Sequence, residues 1–469
     1  MEEYENLKGV LQNFVNSFKE CNGSIRIICR ENVDAICGAS ILSKLFLKEN
    51  KQFSINILKI LDVKGIKELT NYKDENFFFI DIGSRNIKQI QETLNNKGIF
   101  LFSRAEVFFP EKINVLDPFL FCSKQLDPLG EISIAGMCYL FAKTVDPEHK
   151  NLAHLGIIGL FSDNIKKEKL SSLGKTILED AIFTRVIEVK KGIKLPLAHS
   201  CTIYKAIANS LNPFIPGVSG SESKAANFVR ESGVNIDAKK KLIELNEVES
   251  KSLLTQILLK RLGSEDSNKE IIGDVYLINL EGYNEELSDI YEVIILLEAC
   301  IALSKPSLAL AFCINPIKNY KKAETLLKQY RKNMVDALNW FYINKKSEYV
   351  NIQNNYALIY TKDRINSEIS ILFINNLADA NVFVKGVVII LIDYCKEGDL
   401  NLIFRVAGDT IGVKLDLDKI IDPSAKFLIK DQRVIRQNAI IKIDAEHEDE
   451  FMKLLISRLN SCNLVENTE

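Results

Sequence analysis

The first third of the chain alternates between continuous apolar runs and segments whose apolar residues recur with helical spacing. The apolar runs predict strands over Ile25–Cys29, Phe53–Ile60, Phe77–Ile82 and Gly98–Phe102. The segments between them predict helices over Met1–Lys19, Ala35–Leu47, Val63–Leu69 and Ile87–Asn95. Strands that alternate with helices in this way are typical of a parallel, doubly wound sheet. In such sheets, ligands bind at the carboxyl ends of the strands.

The pattern changes twice further along the chain. From residue 193 to residue 268 it is helical and contains the turn-rich stretch SLNPFIPGVSGSES, whereas strands and helices alternate again from 269 to 469. The elements predicted in this last part are strands over Leu308–Ile314, Tyr356–Tyr360, Val387–Ile392 and Leu402–Val406, and a long helix over Lys321–Phe341. We therefore predict an α/β protein with a parallel-sheet domain at 1–192, a helical middle insertion at 193–268 and a smaller α/β domain at 269–469.

Composition narrows the choice of partners and compartment. With 60 basic and 62 acidic residues the net charge is −2, which argues against a protein that holds nucleic acid by charge alone. No apolar run approaches the roughly 18–20 residues that span a membrane, and the acidic N-terminus MEEYENLKGV is unlike a secretory signal. Ten cysteines without a CxxC pair indicate reduced thiols, so we expect a cytoplasmic protein with no membrane partner.

Three aspartates, Asp34, Asp81 and Asp163, each lie where an apolar element begins or ends. Common catalytic motifs are absent: there is no GxxxxGK[ST], no HExxH and no GxSxG. An N-capping role is the alternative for Asp34 and Asp163, because each precedes a predicted helical segment. Together, however, carboxylates at the corners of an α/β sheet indicate the position of an active site.

The order of these elements resembles that of the RecJ-type DHH phosphoesterases, and most of all their archaeal branch. In that family H-x-D-x-D-G follows a first strand, Asp ends a second, Asp-His-His ends a third, and Asp ends a later helix. Together these residues hold two divalent metals that activate water. The resemblance extends over the whole chain through the segments GEISIAGMCYLFAK, LAHLGIIGLFSDN, NPFIPGVSGSESKAANFVRESGV and LIFRVAGDTIGVKLDL. It implies a DHH-type domain at 1–192 and a DHH-associated domain at 269–469.

The chain departs from the family at most of the metal-ligand positions. The matched aspartates are Asp34, Asp81 and Asp163. The substituted positions are occupied by Arg30, Asn32, Ser103, Arg104 and Ala105. Because arginine cannot ligate a metal and brings fixed positive charge, we expect no metal or other cofactor, and we expect Arg30 and Arg104 to pair with the aspartates. A single residual metal is the alternative.

The resemblance therefore implies a vestigial nuclease, not an enzyme. The catalytically inactive member of this superfamily is the eukaryotic cell-division-cycle factor that binds the replicative helicase together with GINS. We predict a replisome scaffold that bridges the GINS complex and the MCM helicase, with the module at 193–268 as its docking surface. The alternatives are a residual metal-dependent single-strand exonuclease and an inactive partner of a repair helicase.

Single-stranded DNA is a further expected ligand. The family threads one strand through the cleft between its two α/β domains. The residues that would contact the strand in this chain are Arg30, Arg104 and Arg405, the last of which falls on the family's nucleic-acid-contacting arginine. The alternative is that the aspartates neutralise these arginines.

Overall fold

The computed structural model forms two compact units, residues 1–191 with 274–327 and residues 192–273 with 328–469. It describes the whole chain except residues 1, 106–112, 123–127, 165–169, 235–239, 261–271, 284–286, 363, 381, 395–397, 409–416, 422, 436–437 and 462–469. The chain passes between the units after residues 191, 273 and 327, and only the first two lie close to the predicted boundaries, so the grouping differs from three successive domains. Residues 193–268 are grouped with 328–469, and 274–327 are grouped with the N-terminal part of the chain.

The first unit contains a five-stranded sheet in the order β2-β1-β3-β4-β5, and every neighbouring pair is parallel. Its strands are β1 (Ile25–Arg30), β2 (Phe53–Leu58), β3 (Asn76–Ile80), β4 (Gly98–Phe102) and β5 (Asn114–Leu116). The predicted fold class and parallel sheet are confirmed. β3 is buried along its whole length, which explains its uninterrupted apolar run. β5 escapes prediction because three residues are too few to show a period.

The helices of this part of the chain are α1 (Glu2–Lys19), α2 (Val33–Lys48), α3 (Val63–Glu68), α4 (Ile87–Thr93), α5 (Pro128–Glu131), α6 (Ile134–Val145), α7 (Ala153–Asn164) and α8 (Ser172–Phe183). Helices α2, α6 and α7 pack on one another. Small residues permit this close packing: a Cβ at Gly38 in α2 would lie 3.0 Å from Cys138 Sγ in α6. The side-chain hydroxyl of Ser133 accepts the Gly136 N–H and begins α6.

The middle segment has a hydrophobic core of its own. Its helices are α9 (Ile203–Ala208), α10 (Glu222–Glu231) and α11 (Glu247–Lys260), and strand β6 (Ile187–Ile193), just before them, pairs with β7 (Ile272–Ile278). The core includes Leu195, Ile207, Phe228 and Leu253. The turn-rich stretch is part of the packed structure, because Phe214, Ile215 and Val218 are buried.

Three consecutive helices follow β7: α12 (Ile290–Ala302), α13 (Pro306–Ile314) and α14 (Pro316–Asn344). The predicted strand over Leu308–Ile314 is therefore wrong, because this segment is α13. Pro306 occupies the first turn, where a missing N–H costs the helix little. A short, fully apolar run does not distinguish a buried helix from a buried strand, and here the helix forms.

The C-terminal part of the second unit contains a six-stranded mixed sheet in the order β12-β13-β11-β10-β9-β8. Its elements are β8 (Val350–Ile352), β9 (Tyr356–Tyr360), α15 (Ser370–Asp379), β10 (Val388–Tyr394), β11 (Asp399–Val406), α16 (Leu417–Ile420), β12 (Ile429–Ile435), β13 (Asn438–Asp444) and α17 (Glu448–Ser461). Only the β9–β10 pair is parallel among the described pairs. Within the described ranges, no helix is both long and apolar enough to cross a membrane.

Candidate functional site

The carboxyl ends of the parallel strands in the first unit bring polar residues to one edge of the sheet. The residues at or directly after these ends are Arg30, Asp81, Ser103 and Asp117. Backbone hydrogen bonds keep the strand ends level: the Asp81 N–H donates to Phe102 O at 3.0 Å, and the Ser103 N–H donates to Leu116 O at 3.1 Å. This is the edge at which α/β sheets bind ligands.

Asp34 is fully buried and binds the N-terminus of a different helix from its own. Helix α2 is capped by Asn32, whose side-chain oxygen accepts the Ala35 N–H at 2.8 Å, so the alternative in which Asp34 caps α2 is wrong. The Asp34 carboxylate instead accepts the Ile134 N–H at 2.9 Å and the Ala135 N–H at 2.8 Å, both in the first turn of α6. A carboxylate at this position also complements the helix dipole.

Helix α7 passes close to the same carboxylate. A Cβ at Gly159 would lie 2.5 Å from Asp34 Oδ1 and 2.4 Å from Ala135 Cβ, so only glycine fits there without movement of its neighbours. Helix α7 contains most of the segment LAHLGIIGLFSDN, as predicted. Gly159 lets this helix contact the buried carboxylate. The three helices α2, α6 and α7 meet at Asp34.

Arg104 and Asp117 complete the polar network on the other side of Asp34. Arg104 Nη2 lies 3.8 Å from Asp34 Oδ2. Asp117 is buried and accepts the N–H groups of Ala105 at 3.1 Å and Phe119 at 3.0 Å. Burial raises the pKa of the Asp117 carboxyl, although these hydrogen bonds and the Arg104 charge act in the opposite direction. Asp117 was not predicted, although it follows a strand as Asp81 does.

Asp81 lies between an amide and a guanidinium group. Asn32 Nδ2 donates to Asp81 Oδ2 at 2.6 Å, and Arg30 Nη1 lies 3.9 Å from the same oxygen. Asp81 has a φ of 56°, a left-handed conformation that aspartate and asparagine adopt more easily than most residues. Arg30 and Asn32, the two substituted ligand positions of the family's first motif, thus both contact Asp81.

The other two predicted site residues lie elsewhere. Asp163 is in the last turn of α7, but its side chain is outside the described part of the chain. Arg405 lies in β11 of the second unit, is nearly buried, and has its Nη2 3.4 Å from Asp379 Oδ1. All three predicted DNA-contacting arginines therefore have a carboxylate within 4 Å.

The geometry at the strand ends is that of a network of ion pairs and capping hydrogen bonds. Among the described residues, no group of three or more His, Cys, Asp or Glu side chains is arranged to hold a metal ion. Both oxygens of Asp34 accept backbone N–H groups, and Arg104 adds a fixed positive charge.

The fold described above is the one shared by Cdc45 and RecJ. The structure of CDC45 from Entamoeba histolytica superimposes with a TM-score of 0.67 at 13% identity, covering 97% of this chain and 99% of that one. A manganese-bound exonuclease RecJ gives a TM-score of 0.58 at 10% identity, covering 98% of this chain and 95% of that one. RecJ from Thermus thermophilus in complex with Mn²⁺ gives 0.57 at 11% identity, with 97% and 55% covered.

Within that class the sequence match is to the archaeal proteins. Residues 149–376, slightly less than half of the chain, match the family model described as archaeal Cdc45. A protein of Methanocaldococcus jannaschii, described only as uncharacterized, is 28% identical over 345 residues, which are 72% of this chain and 75% of that protein. The predicted resemblance to the archaeal branch of the RecJ-like superfamily, and to its cell-division-cycle member, is confirmed.

Proposed function

We propose that this chain is a non-catalytic replication factor of the Cdc45 type that bridges the GINS complex and the MCM helicase. The observation that carries the non-catalytic part of the proposal is that groups of the protein itself bind the carboxylates of Asp34 and Asp81. Asp34 binds the first turn of α6 and lies beside Arg104, and Asp81 binds Asn32 and lies beside Arg30. The match to the archaeal Cdc45 family supports the same function.

The residues present do not fit a pair of divalent metals. Such a pair needs several anionic or imidazole ligands around and between the ions. Here guanidinium groups approach the two described aspartates, and Ser103 and Ala105 stand where the family has ligands. We therefore propose that the chain lacks metal-dependent nuclease activity.

A nuclease assay with labelled single-stranded DNA and Mn²⁺ tests this proposal. We expect no cleavage above the level of an Asp81→Asn variant purified in parallel. Mn²⁺-dependent cleavage that is lost in Asp81→Asn would assign a residual exonuclease instead. Asp81 is suited to the control because asparagine keeps its left-handed backbone conformation accessible.

Residues 193–268 are the proposed docking surface for the protein partners. Among the described residues of this segment, three large apolar side chains are exposed: Ile243 at 45%, Val248 at 76% and Leu259 at 50%. Deleting the segment would not be a clean test, because Phe214 stacks on Tyr342 with ring centroids 5.6 Å apart, elsewhere in the same unit. Exposed side chains can be changed without removing such packing.

The partner test uses purified GINS and MCM from the same source in size-exclusion chromatography. We expect a complex that contains this chain, and we expect its yield to fall when Ile243, Val248 and Leu259 are changed to serine. The matched control changes three apolar residues of similar exposure in the first unit, Leu47 at 59%, Ile60 at 46% and Val63 at 54%. The bridging function would be contradicted if the wild-type chain failed to bind GINS or failed to bind MCM. The docking surface would be contradicted if both triple variants lost the same fraction of the complex.

A further inference from the structure

The long helix α14 has one buried apolar side and one exposed basic side. Its 29 residues extend over about 43 Å at about 1.5 Å per residue. The residues of the buried side follow one another mostly at intervals of three or four. They are Ala323, Leu327, Tyr330, Met334, Ala337, Leu338 and Phe341. The exposed lysines are Lys318, Lys321, Lys322, Lys328 and Lys332. We call these five lysines the α14 lysine face.

The α14 lysine face is concentrated positive charge on a chain that is close to neutral. Between residues 316 and 333 the sequence has six basic residues and one acidic residue, Glu324, whereas the whole chain has a net charge of −2. From Lys318 to Lys332 the face extends over roughly 21 Å of one continuous helix. Charge of one sign at this density creates a local positive potential, which attracts ligands of opposite charge.

The lysines of this face differ from several partly buried lysines of the chain. Lys143, Lys240 and Lys442 each bind a carboxylate. In the described structure, no ion pair is recorded for the members of the face Lys318, Lys321, Lys322 and Lys332. Their ammonium groups are therefore available to an external anion.

The chemistry of the face selects among polyanionic partners. Protein interfaces are depleted in lysine and are built around aromatic and other apolar anchors, whereas the exposed positions between these lysines are Thr325 and Gln329. A membrane-surface helix needs a free apolar side to insert, but the apolar side of α14 is buried in the fold. Phosphates spaced along a nucleic-acid backbone need only positive charges and hydrogen-bond donors at similar spacing.

We infer that the α14 lysine face binds the phosphate backbone of nucleic acid. The inference goes beyond the proposed function, because the bridging of protein partners does not depend on it. The α14 lysine face differs from the nucleic-acid contact predicted from the sequence. The residues predicted there, Arg30, Arg104 and Arg405, each lie beside a carboxylate. Flexible lysine side chains bind phosphates mainly as point charges, so we expect binding with little sequence preference.

The test compares two quadruple variants by fluorescence anisotropy with labelled oligonucleotides at several salt concentrations. In one variant Lys318, Lys321, Lys322 and Lys332 are changed to glutamine, which is also a good helix former. The control changes four exposed lysines on four other helices, Lys8, Lys67, Lys205 and Lys224. Both variants lose four positive charges, so a difference in oligonucleotide binding between them is due to where the lost charges lie. Far-UV circular dichroism verifies that both remain folded.

For single strands each lost phosphate contact removes about 0.7 from the log–log salt slope, so four contacts would remove roughly 2.8; for duplex the value per contact is about 0.9. We expect the α14 variant to lose most of its slope and its affinity at low salt, and the control to keep both. Using single-stranded and duplex oligonucleotides of equal length identifies which form supplies the phosphates.

Three results would overturn the inference: no binding by the wild-type chain, equal binding by the wild type and the α14 variant, or equal losses in both variants. Loss of polyglutamate binding with oligonucleotide binding unchanged would also overturn it, because the face would then bind an acidic protein. The same α14 variant is tested for complex formation with GINS and MCM. Intact complexes of this variant with lost oligonucleotide binding support the inference. Oligonucleotide binding by the wild-type chain without any complex with GINS or MCM contradicts only the bridging function.

Discussion

Replacing Asp34 by asparagine should destabilise the first unit strongly. The change keeps the size of the side chain and removes its charge. One carbonyl oxygen can still accept an N–H of α6, but the new amide group presents its own hydrogens to the other N–H. Ile134 or Ala135 then loses its acceptor in a fully buried position, and Arg104 loses an ion-pair partner at 3.8 Å.

The size of the effect follows from these three losses. A buried donor left without an acceptor costs about 1–3 kcal/mol, and a hydrogen bond to a charged group contributes about 1.5–3 kcal/mol, more than a neutral one. Removing one partner of a buried ion pair costs about 3–5 kcal/mol, which must be reduced here because Arg104 is partly exposed. The terms overlap, so we expect a loss of about 3–5 kcal/mol in the free energy of unfolding.

Urea unfolding measures this loss, and two probes locate it. Far-UV circular dichroism follows both units, whereas the fluorescence of the single tryptophan, Trp340, follows the second unit. With a slope of about 2 kcal/mol per molar urea, the transition of the first unit should move down by roughly 2 M. The control is Asp62→Asn, because Asp62 caps its own exposed helix and asparagine caps equally well.

A metal-ligand role for Asp34 predicts the opposite sign. Carboxylates that are held together to bind cations repel one another in the metal-free protein, so removing one charge stabilises the metal-free fold. Mn²⁺ would then stabilise the wild type by mass action and leave Asp34→Asn unaffected. An unchanged or raised midpoint in Asp34→Asn, or stabilisation by Mn²⁺ that depends on Asp34, would refute the reasoning.

Three further variants test the surroundings of the site. Asp81→Ala should lose about 1 kcal/mol more in urea unfolding than Asp81→Asn, because alanine adopts the φ of 56° less easily, and equal losses would argue against backbone strain. Gly159→Ala should cost about 1–3 kcal/mol because its Cβ would overlap Asp34 Oδ1, and a neutral result would mean that α7 moves freely. Burial raises the pKa of Asp289 to about 7, so the wild type should lose stability relative to Asp289→Asn as pH rises from about 4, the unfolded-chain value, to 7. Asparagine can still accept the Tyr291 N–H, so parallel stability curves against pH would contradict the raised pKa of Asp289.

The parts of the fold that could be predicted are those whose sequence carries a long, unambiguous period. The strands β3 and β4 are buried almost throughout, so their apolar runs are continuous and end at polar corners, and in β1 only Arg26 interrupts the run. The strand β5 and the helix α13 are short, and a short apolar run is compatible with either structure. The stretch from Ser210 to Ser223 could be predicted only as turn-rich, because its turn residues leave no periodic pattern around the buried Phe214 and Ile215.

The candidate site could be located but not understood from the sequence. Strand ends place Asp81 and Ser103 at one edge, which follows from topology alone. The hydrogen bonds that Asp34 accepts from Ile134 and Ala135 join residues 100 and 101 positions apart, so no local sequence pattern predicts them. Asp117 could have been found by applying the strand-end rule to β5, had that strand been recognised.

The contacts of Asp34 also explain why an aspartate at a motif position is weak evidence for metal chemistry. Its carboxylate begins α6, contacts the glycine at which α7 passes, and lies beside Arg104. These contacts join three helices, whether or not a metal is bound. The presence of Asp34 here therefore agrees with a structural role as well as with metal binding. Arg104 beside it, and Arg30 and Asn32 beside Asp81, agree with the proposed loss of the metal site.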